Sequence, residues 1–472
     1  MTEQAAAIEA RSIDYVPESE RHGEVWQQGP FWFLGNFQFF TITIGFIGPA
    51  LGLSIGHTVL AGTLGIIFGT LFMAFHASQG PHLGLPQMIQ SRAQLGYRGV
   101  VVALFGSFVT FVLFNVVDVI LISAGLNGIF GWDPLLIAVV VTVVATVLAI
   151  FGHDLLHRVF RVLFFVSLPF YVILTVAIVT GNAGGEPAPA GEFSWVAFAA
   201  MFTAAAAYNI TYAPYVSDYS RYLPRSTRTV PIVVSVFLGA AGSAVWLIAL
   251  GAWLATSLGA TDALVALRDG GDNVFVGLGS LLAILSVLAL VATMGINAYS
   301  AMLSTVTALD SVISIRPTRT LRIVTIIVLA VIWAAIGVSF GGDAIGALFN
   351  SLILMLYLLV PWTAINLADY FFVRKGRYAI TDLGTPQGIY GEWGRRGLIS
   401  YAVGLVAMVP FFVIPGVVTG PLAERLGGVD ISAIVGLVVS AGVYLVLTRS
   451  LDVAGEETAI ADSERRLAAE RQ

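Results

Sequence analysis

Long apolar runs dominate this chain and leave it few folds. Of its 472 residues, 57% are hydrophobic and only 11% charged, whereas a water-soluble domain carries about 25% charge. Runs long enough to cross the ~30 Å hydrocarbon core of a bilayer fall near 31–56, 58–76, 99–125, 134–151, 159–180, 194–214, 230–256, 273–302, 323–340, 344–369, 397–416 and 430–448. Twelve spans in an all-α integral membrane protein are therefore expected. Residues 1–30 are polar, without a basic start, apolar core and small-residue cleavage site, so no signal peptide is expected. There is no cysteine, which excludes disulfide and thiol chemistry.

The basic residues test this map. Twenty-one of the 23 Lys and Arg residues fall in the N-terminal stretch, the even-numbered gaps and the tail. Only Arg268 and Arg425 occupy odd-numbered gaps. Cytoplasmic loops retain Lys and Arg, so the sorting predicts an even number of spans in the cell membrane with both termini cytoplasmic. A miscounted span would scramble it.

The expected organisation is a cytoplasmic arm over 1–28, a polytopic membrane domain over 29–451 and a cytoplasmic tail over 452–472. Arm and tail are too short and polar for a core of their own and read as disordered or surface-lying. A Gly-, Pro- and Ala-rich linker at Gly181–Gly191 separates a first group of five spans, about 31–180, from a second, about 194–369, with two more over about 397–448. Gly65 and Gly69, four apart, allow close helix contact. The loop Ser78–Gln87, with Pro and Gly at turn spacings, reads as a fixed turn.

Two spans break internally. The first carries Thr41-Ile42-Thr43-Ile44-Gly45 and then Gly48-Pro49; the sixth is interrupted at Tyr208-Asn209-Ile210-Thr211-Tyr212-Ala213-Pro214. Unwound backbone at membrane depth survives only inside protein or beside a polar cavity. Paired interruptions at corresponding positions of two halves point to a carrier's binding site.

Polar side chains within spans are few, because each is costly there. Span 3 holds Phe111, Asn115 and Asp118; span 8 holds Thr293 and Asn297; the broken spans add Gln38, Thr41, Thr43, Tyr208, Asn209 and Tyr212. Helix–helix hydrogen bonding would account for any one of them. Gathered on four spans, they also suit a ligand. Amides offer donor and acceptor to a heterocycle's edge, and aromatic rings stack on a flat face. Only Asp118 could serve as a countercharge, so a neutral, planar, polar molecule fits best.

No enzyme signal competes, and no phosphate-binding loop supports direct ATP drive. His153 and His157, at i and i+4, have the spacing of metal ligands, but without a carboxylate triad no metal site is expected. No cofactor is expected beyond a coupling cation, H+ or Na+, and no nucleic-acid partner. The oligomeric state stays open, a monomer included.

Ser217-Asp218-Tyr219-Ser220-Arg221-Tyr222-Leu223-Pro224 resembles the signature of the nucleobase–cation symporters, the family of purine–cytosine permeases and of carriers for allantoin, uracil, hydantoins and thiamine. Gly45-Phe46-Ile47-Gly48-Pro49, Gly80-Pro81, Gly84-Leu85-Pro86-Gln87-Met88, Asn297-Ala298-Tyr299-Ser300 and Pro361-Trp362 add to the resemblance, which covers spans 1 to 10 and is nearest the purine–cytosine branch. It implies the leucine-transporter-type five-plus-five inverted repeat with spans 1 and 6 broken, and a secondary-active importer of cytosine or purines. It also implies that Thr43, Phe111, Asn115 and Asn297 touch substrate. From their own positions, Gln38, Tyr208, Tyr212 and Thr293 join the candidate binding set, and Asp118 is the candidate proton carrier. Two departures matter. Where the family reads Gly-Trp-Ala-Pro-Tyr, this chain has Thr211-Tyr212-Ala213-Pro214-Tyr215. Where sodium-coupled relatives pair hydroxyls in span 8, it has Val291-Ala292-Thr293, half a site, so proton coupling is expected. Another small heterocycle in the same fold, or an amino acid, is the alternative cargo.

Overall fold

The computed structural model describes residues 13–186, 191–313, 315, 318–340 and 343–469. Arg11, Arg316 and Arg471 of the charge sorting lie outside these residues, as do 187–190 of the linker. The first span is two helices, α1 (Gln28–Asn36) and α2 (Phe39–Ala50). With the turn Val25–Gln27 ahead of α1, the two halves bend by 55°.

This break falls at Phe37 and Gln38, not at Thr41–Gly45 as the sequence suggests; that stretch is helical. Phe37 leaves helical geometry, and Gln38 is extended with its side chain capping α2 by accepting from Phe40 N–H at 2.7 Å. The glycines that read as breakers serve packing instead. A Cβ on Gly45 would collide with backbone of residues 248–252, and one on Gly48 with the Thr58 side chain.

Further along run α3 (Ile55–Ala77), α4 (Val101–Phe130), α5 (Pro134–Phe151) and α6 (His153–Val179). The sixth span divides where predicted, into α7 (Trp195–Ile210) and α8 (Ala213–Ser220). Thr211 and Tyr212 separate them, and Pro214, which has no N–H to leave unpaired, sits in the first turn of α8. Then come α9 (Thr229–Ser257), a short helix Ala263–Asp272, α10 (Leu278–Val312), α11 (Arg319–Ser339) and α12 (Ala344–Ala368). Last are α13 (Arg395–Met408), α14 (Ser432–Leu447) and a tail helix α15 (Glu457–Ala469).

Among the described residues ten helices are long and apolar enough to cross a membrane, or up to 11 with the bent pair taken as one span. The remaining predicted segment, 397–416, is shorter than expected. Its helix α13 has 14 residues and gives way to a turn at Val409–Phe411 and a hairpin pairing Val413–Ile414 with Val418–Thr419. Pro410 and Pro415 supply no backbone donor there, which suits a helix end better than its middle.

Small residues set the inner packing. Gly65 and Gly69 of α3 lie directly against the backbone of residues 202–206 in α7, where any Cβ would clash, the close approach their spacing suggested. On the outside, Val139, Val140, Val143, Val144 and Val147 of α5 are exposed, an apolar face suited to lipid.

The connections sort onto two faces. On one, the arm meets the loops: Val16 N–H donates to Gly84 O at 2.9 Å and His22 N–H to Tyr222 O at 2.6 Å. Tyr97 OH donates to Asp310 Oδ2 at 2.7 Å, and Thr381 N–H to Ser463 Oγ at 3.0 Å. We call this the arm face. On the other, Glu186 N–H donates to Ser257 O and the Asn273 amide to Ala183 O. The tail is ordered: α15 buries Ile460 and Leu467, and Arg374 forks onto Glu456 at 2.9 Å while also reaching Asp369 at 2.8 Å.

Candidate functional site

The two breaks face each other and are tied by hydroxyls and amides. Gln38 Nε2 donates to Tyr208 OH at 3.0 Å, and Tyr208 OH lies 2.8 Å from Thr41 Oγ1, which donates to Asn36 O. Tyr212 OH donates to Gly35 O at 3.2 Å. Unwinding frees carbonyls such as Gly35 O, and these side chains satisfy them. Asn36 and Asn209 tie neighbouring helices. Asn36 Nδ2 donates to Asn209 Oδ1 and Ala240 O, and Asn209 Nδ2 to Thr70 Oγ1. Asn209 therefore holds helices together and is not free for a ligand.

Aromatic rings pack beside the breaks. Tyr212 stacks on Phe114 with centroids 5.6 Å apart and planes 25° from parallel, and Tyr208 on Phe40 at 5.4 Å and 18°. Phe111 tilts against Tyr215 at 5.0 Å, and Trp32 meets Tyr212 edge-on at 5.9 Å. Span 3 was expected to contribute Phe111; it also contributes Phe114. Trp32, Phe40 and Phe114 were not singled out from sequence, because an aromatic in an apolar span carries no sign of which neighbour it meets.

Beside these rings, α4 packs along α10 and joins the two span asparagines. Asn297 Nδ2 donates to Asn115 Oδ1 at 2.9 Å, and Asn115 Nδ2 donates to Met294 O at 3.2 Å. Asn297 Oδ1 is buried and accepts nothing among the described residues. Asp118, one turn along α4 from Asn115, is buried with neither carboxylate oxygen hydrogen-bonded among the described residues. Thr43 and Thr293 are buried but spend their hydroxyls on their own helices, on Phe39 O and Ala289 O.

The Ser217–Tyr222 motif is a clasp at the end of α8. Ser217 and Ser220 hydroxyls donate to His76 O and Ala77 O, both at 2.8 Å. Asp218 accepts from Gln87 N–H and from Ser300 Oγ, each at 2.9 Å. Arg221 donates to Tyr299 OH at 3.2 Å. The loop Ser78–Gln87 is thus fixed against α8, and Gln79 extends the tie to Asn366 of α12 at 2.7 Å.

Residues 15–436 match the family described as permeases for cytosine/purines, uracil, thiamine and allantoin. The chain belongs to this family. It is a multi-pass membrane permease and not an enzyme. It is 33% identical over 458 residues to a putative purine-cytosine permease of Bacillus subtilis (strain 168), covering 94% of this permease and 96% of that protein. A purine-cytosine permease of Saccharomyces cerevisiae is 27% identical over 281 residues, 55% of this chain and 49% of that one. Among solved structures, Mhp1, a nucleobase-cation-symport-1 family transporter in a closed conformation with bromovinylhydantoin bound, superposes with a TM-score of 0.76 at 18% identity, over 97% of this permease and 100% of that chain. The inward-facing form of Mhp1 superposes with a TM-score of 0.66. The fold of the broken-helix carriers is thereby established for this permease.

Proposed function

We propose that this permease imports a nucleobase, cytosine or a purine, across the cell membrane by proton symport, with the arm face in the cytoplasm. The observation that carries this reading is the Asn115–Asn297 pair beside Phe111, Phe114 and Tyr212 and between two broken helices. A base edge needs donor and acceptor together. The paired amides offer both, and the unused Asn297 Oδ1 is an acceptor already desolvated. Phe111 and Tyr212 offer the ring faces, with Phe114 backing Tyr212 and stacking worth about 1–3 kcal/mol. Gln38, Thr41 and Tyr208 shape the break around them, and Thr43 and Thr293 donate to carbonyls of their own helices and can offer the pocket only acceptor lone pairs.

Asp118 supports the choice of proton. An ionised carboxylate buried without a partner is costly, so a carrier that passes through this arrangement gains by loading a proton there first. Moving one charge inward across 100 mV supplies about 2.3 kcal/mol. The basic loops and tail on the arm face support its cytoplasmic placement.

The bromovinylhydantoin bound in Mhp1 favours a second cargo of the same shape, a hydantoin or allantoin. Counterflow into proteoliposomes with labelled cytosine, adenine, hypoxanthine, allantoin and a hydantoin separates the two. A pH gradient or a sodium gradient applied in turn identifies the ion. Asn297→Ala should abolish uptake while membrane expression holds. Uptake of every base at the unaltered rate in that variant would remove the amide pair from the site.

A further inference from the structure

A second cluster of chemistry-bearing side chains lies on the arm face, apart from the amide pair. His22 belongs to the arm, while His153 and Asp154 open α6. One ligand atom from each, two imidazole nitrogens and a carboxylate oxygen, lie within 4.8 Å of one another. They border a cavity of about 240 Å³ that His157, Arg158 and Arg161 also line. Sequence spacing offered only His153 and His157; folding brings in His22 from 131 positions away and sets a carboxylate between the two imidazoles.

One feature of the geometry asks for a cation. His153 Nδ1 lies 3.0 Å and His22 Nε2 3.6 Å from the same oxygen, Asp154 Oδ1. The other nitrogen of His22, Nδ1, is 2.9 Å from Glu20 O. A carbonyl only accepts, so Nδ1 carries the hydrogen, and a neutral His22 then turns the bare lone pair of Nε2 toward an oxygen that is itself only an acceptor. A cation between them removes that conflict. An imidazole whose far nitrogen is held by a backbone carbonyl is also the arrangement that orients metal-ligating histidines.

We propose that His22, His153 and Asp154 bind a divalent transition-metal ion such as zinc. Two imidazoles and a carboxylate suit that ion's borderline character, and water from the cavity completes its shell. The metal links two parts of the carrier that no covalent bond joins. The arm is already fastened to the loop at Pro81 through Arg21 and to Tyr222, just past α8, through the His22 backbone. Adding α6 to that set ties the two chain segments on the arm face beneath the site.

The test is calorimetric titration of the purified full chain, any affinity tag removed, with zinc chloride, paralleled by cobalt absorption spectroscopy. One zinc per chain is expected, with affinity falling about tenfold or more in H22A and in D154A. A visible cobalt spectrum should appear in the unaltered protein and vanish in both variants. Both side chains are more than half exposed, so the metal-free melting temperature of the variants should match that of the unaltered protein. Equal zinc affinity in both variants overturns the assignment. So does the absence of zinc binding by the unaltered chain, which would make a proton the shared cation.

Discussion

Tyr212 stands in the second break with its ring against Phe114 and its hydroxyl on Gly35 O, and substitution separates the two contributions. Tyr212→Phe keeps the stacking surface and should raise the half-saturating substrate concentration by less than about tenfold, the loss of one neutral hydrogen bond. Tyr212→Ala removes a stacking face worth about 1–3 kcal/mol and should raise it by about 5- to 150-fold, measured as counterflow in proteoliposomes. Asp118→Asn makes a different distinction. If Asp118 carries the proton, the variant should still exchange substrate across the membrane at equal concentrations. It should no longer accumulate substrate when a pH gradient is imposed. At this scale the polar half of the candidate site was legible, because an amide or carboxylate within a span is rare enough to be noticed. Of the aromatic half, Phe111, Tyr208 and Tyr212 were named and Phe40, Phe114 and Trp32 were not. Phe114 and Trp32 sit among 30 phenylalanines and nine tryptophans, and nothing local distinguishes a ring that meets Tyr212 from one that meets lipid.

Helices raise a related question about glycine. Gly251 in α9 lies directly on the Ile42 carbonyl of α2, and Gly45 lies on the backbone of α9 in return. Either residue read from sequence alone signals weakness in a helix; in place, each lets two backbones touch. Gly251→Val should therefore force α2 and α9 apart and destabilise the protein by about 1–3 kcal/mol, the usual range for overpacking. A fall in the detergent-solubilised melting temperature checks it. Gly442→Ala, in α14 where a Cβ meets nothing, is the control and should leave that temperature unchanged or slightly raised. The spans were readable because hydropathy reports burial in lipid regardless of partner. The first break was misplaced because backbone freedom and close packing use the same residue. Its true position depends on Gln38 finding Tyr208, 170 residues away, and local sequence does not encode that meeting.

Across the whole molecule, the arm, the loops and the tail form one connected layer on a single face. Its centre is a buried ionic network. Asp369 accepts from Arg374, Tyr378, Tyr444 and Gln94, and Arg374 in turn forks onto Glu456. Burial opposes charge on Arg374, yet Asp369 and Glu456 beside it hold the guanidinium firmly protonated, well above its ordinary value. Removing one member of a buried pair costs about 3–5 kcal/mol, because the partner charge is left without compensation. Arg374→Ala should thus cut the yield of monodisperse protein sharply on size-exclusion chromatography. Glu456→Gln, which keeps the fork's shape without its charge, should have the milder effect. Composition alone placed the tail at the surface or in disorder; the helix α15 and its docking emerge only once Arg374 and Glu456 are set side by side.

That network also fixes an order of events during synthesis. Gln94, Asp369, Arg374 and Tyr444 emerge from the ribosome before Glu456 does. Until the final stretch of chain is released, Arg374 has Asp369 alone to balance it, and the layer beneath the carrier stays open. A polypeptide cut between Ser450 and Glu456 would therefore hold its spans and still leave Arg374 without its second carboxylate. Docking of the stretch that carries Glu456 thus follows the spans in closing this layer.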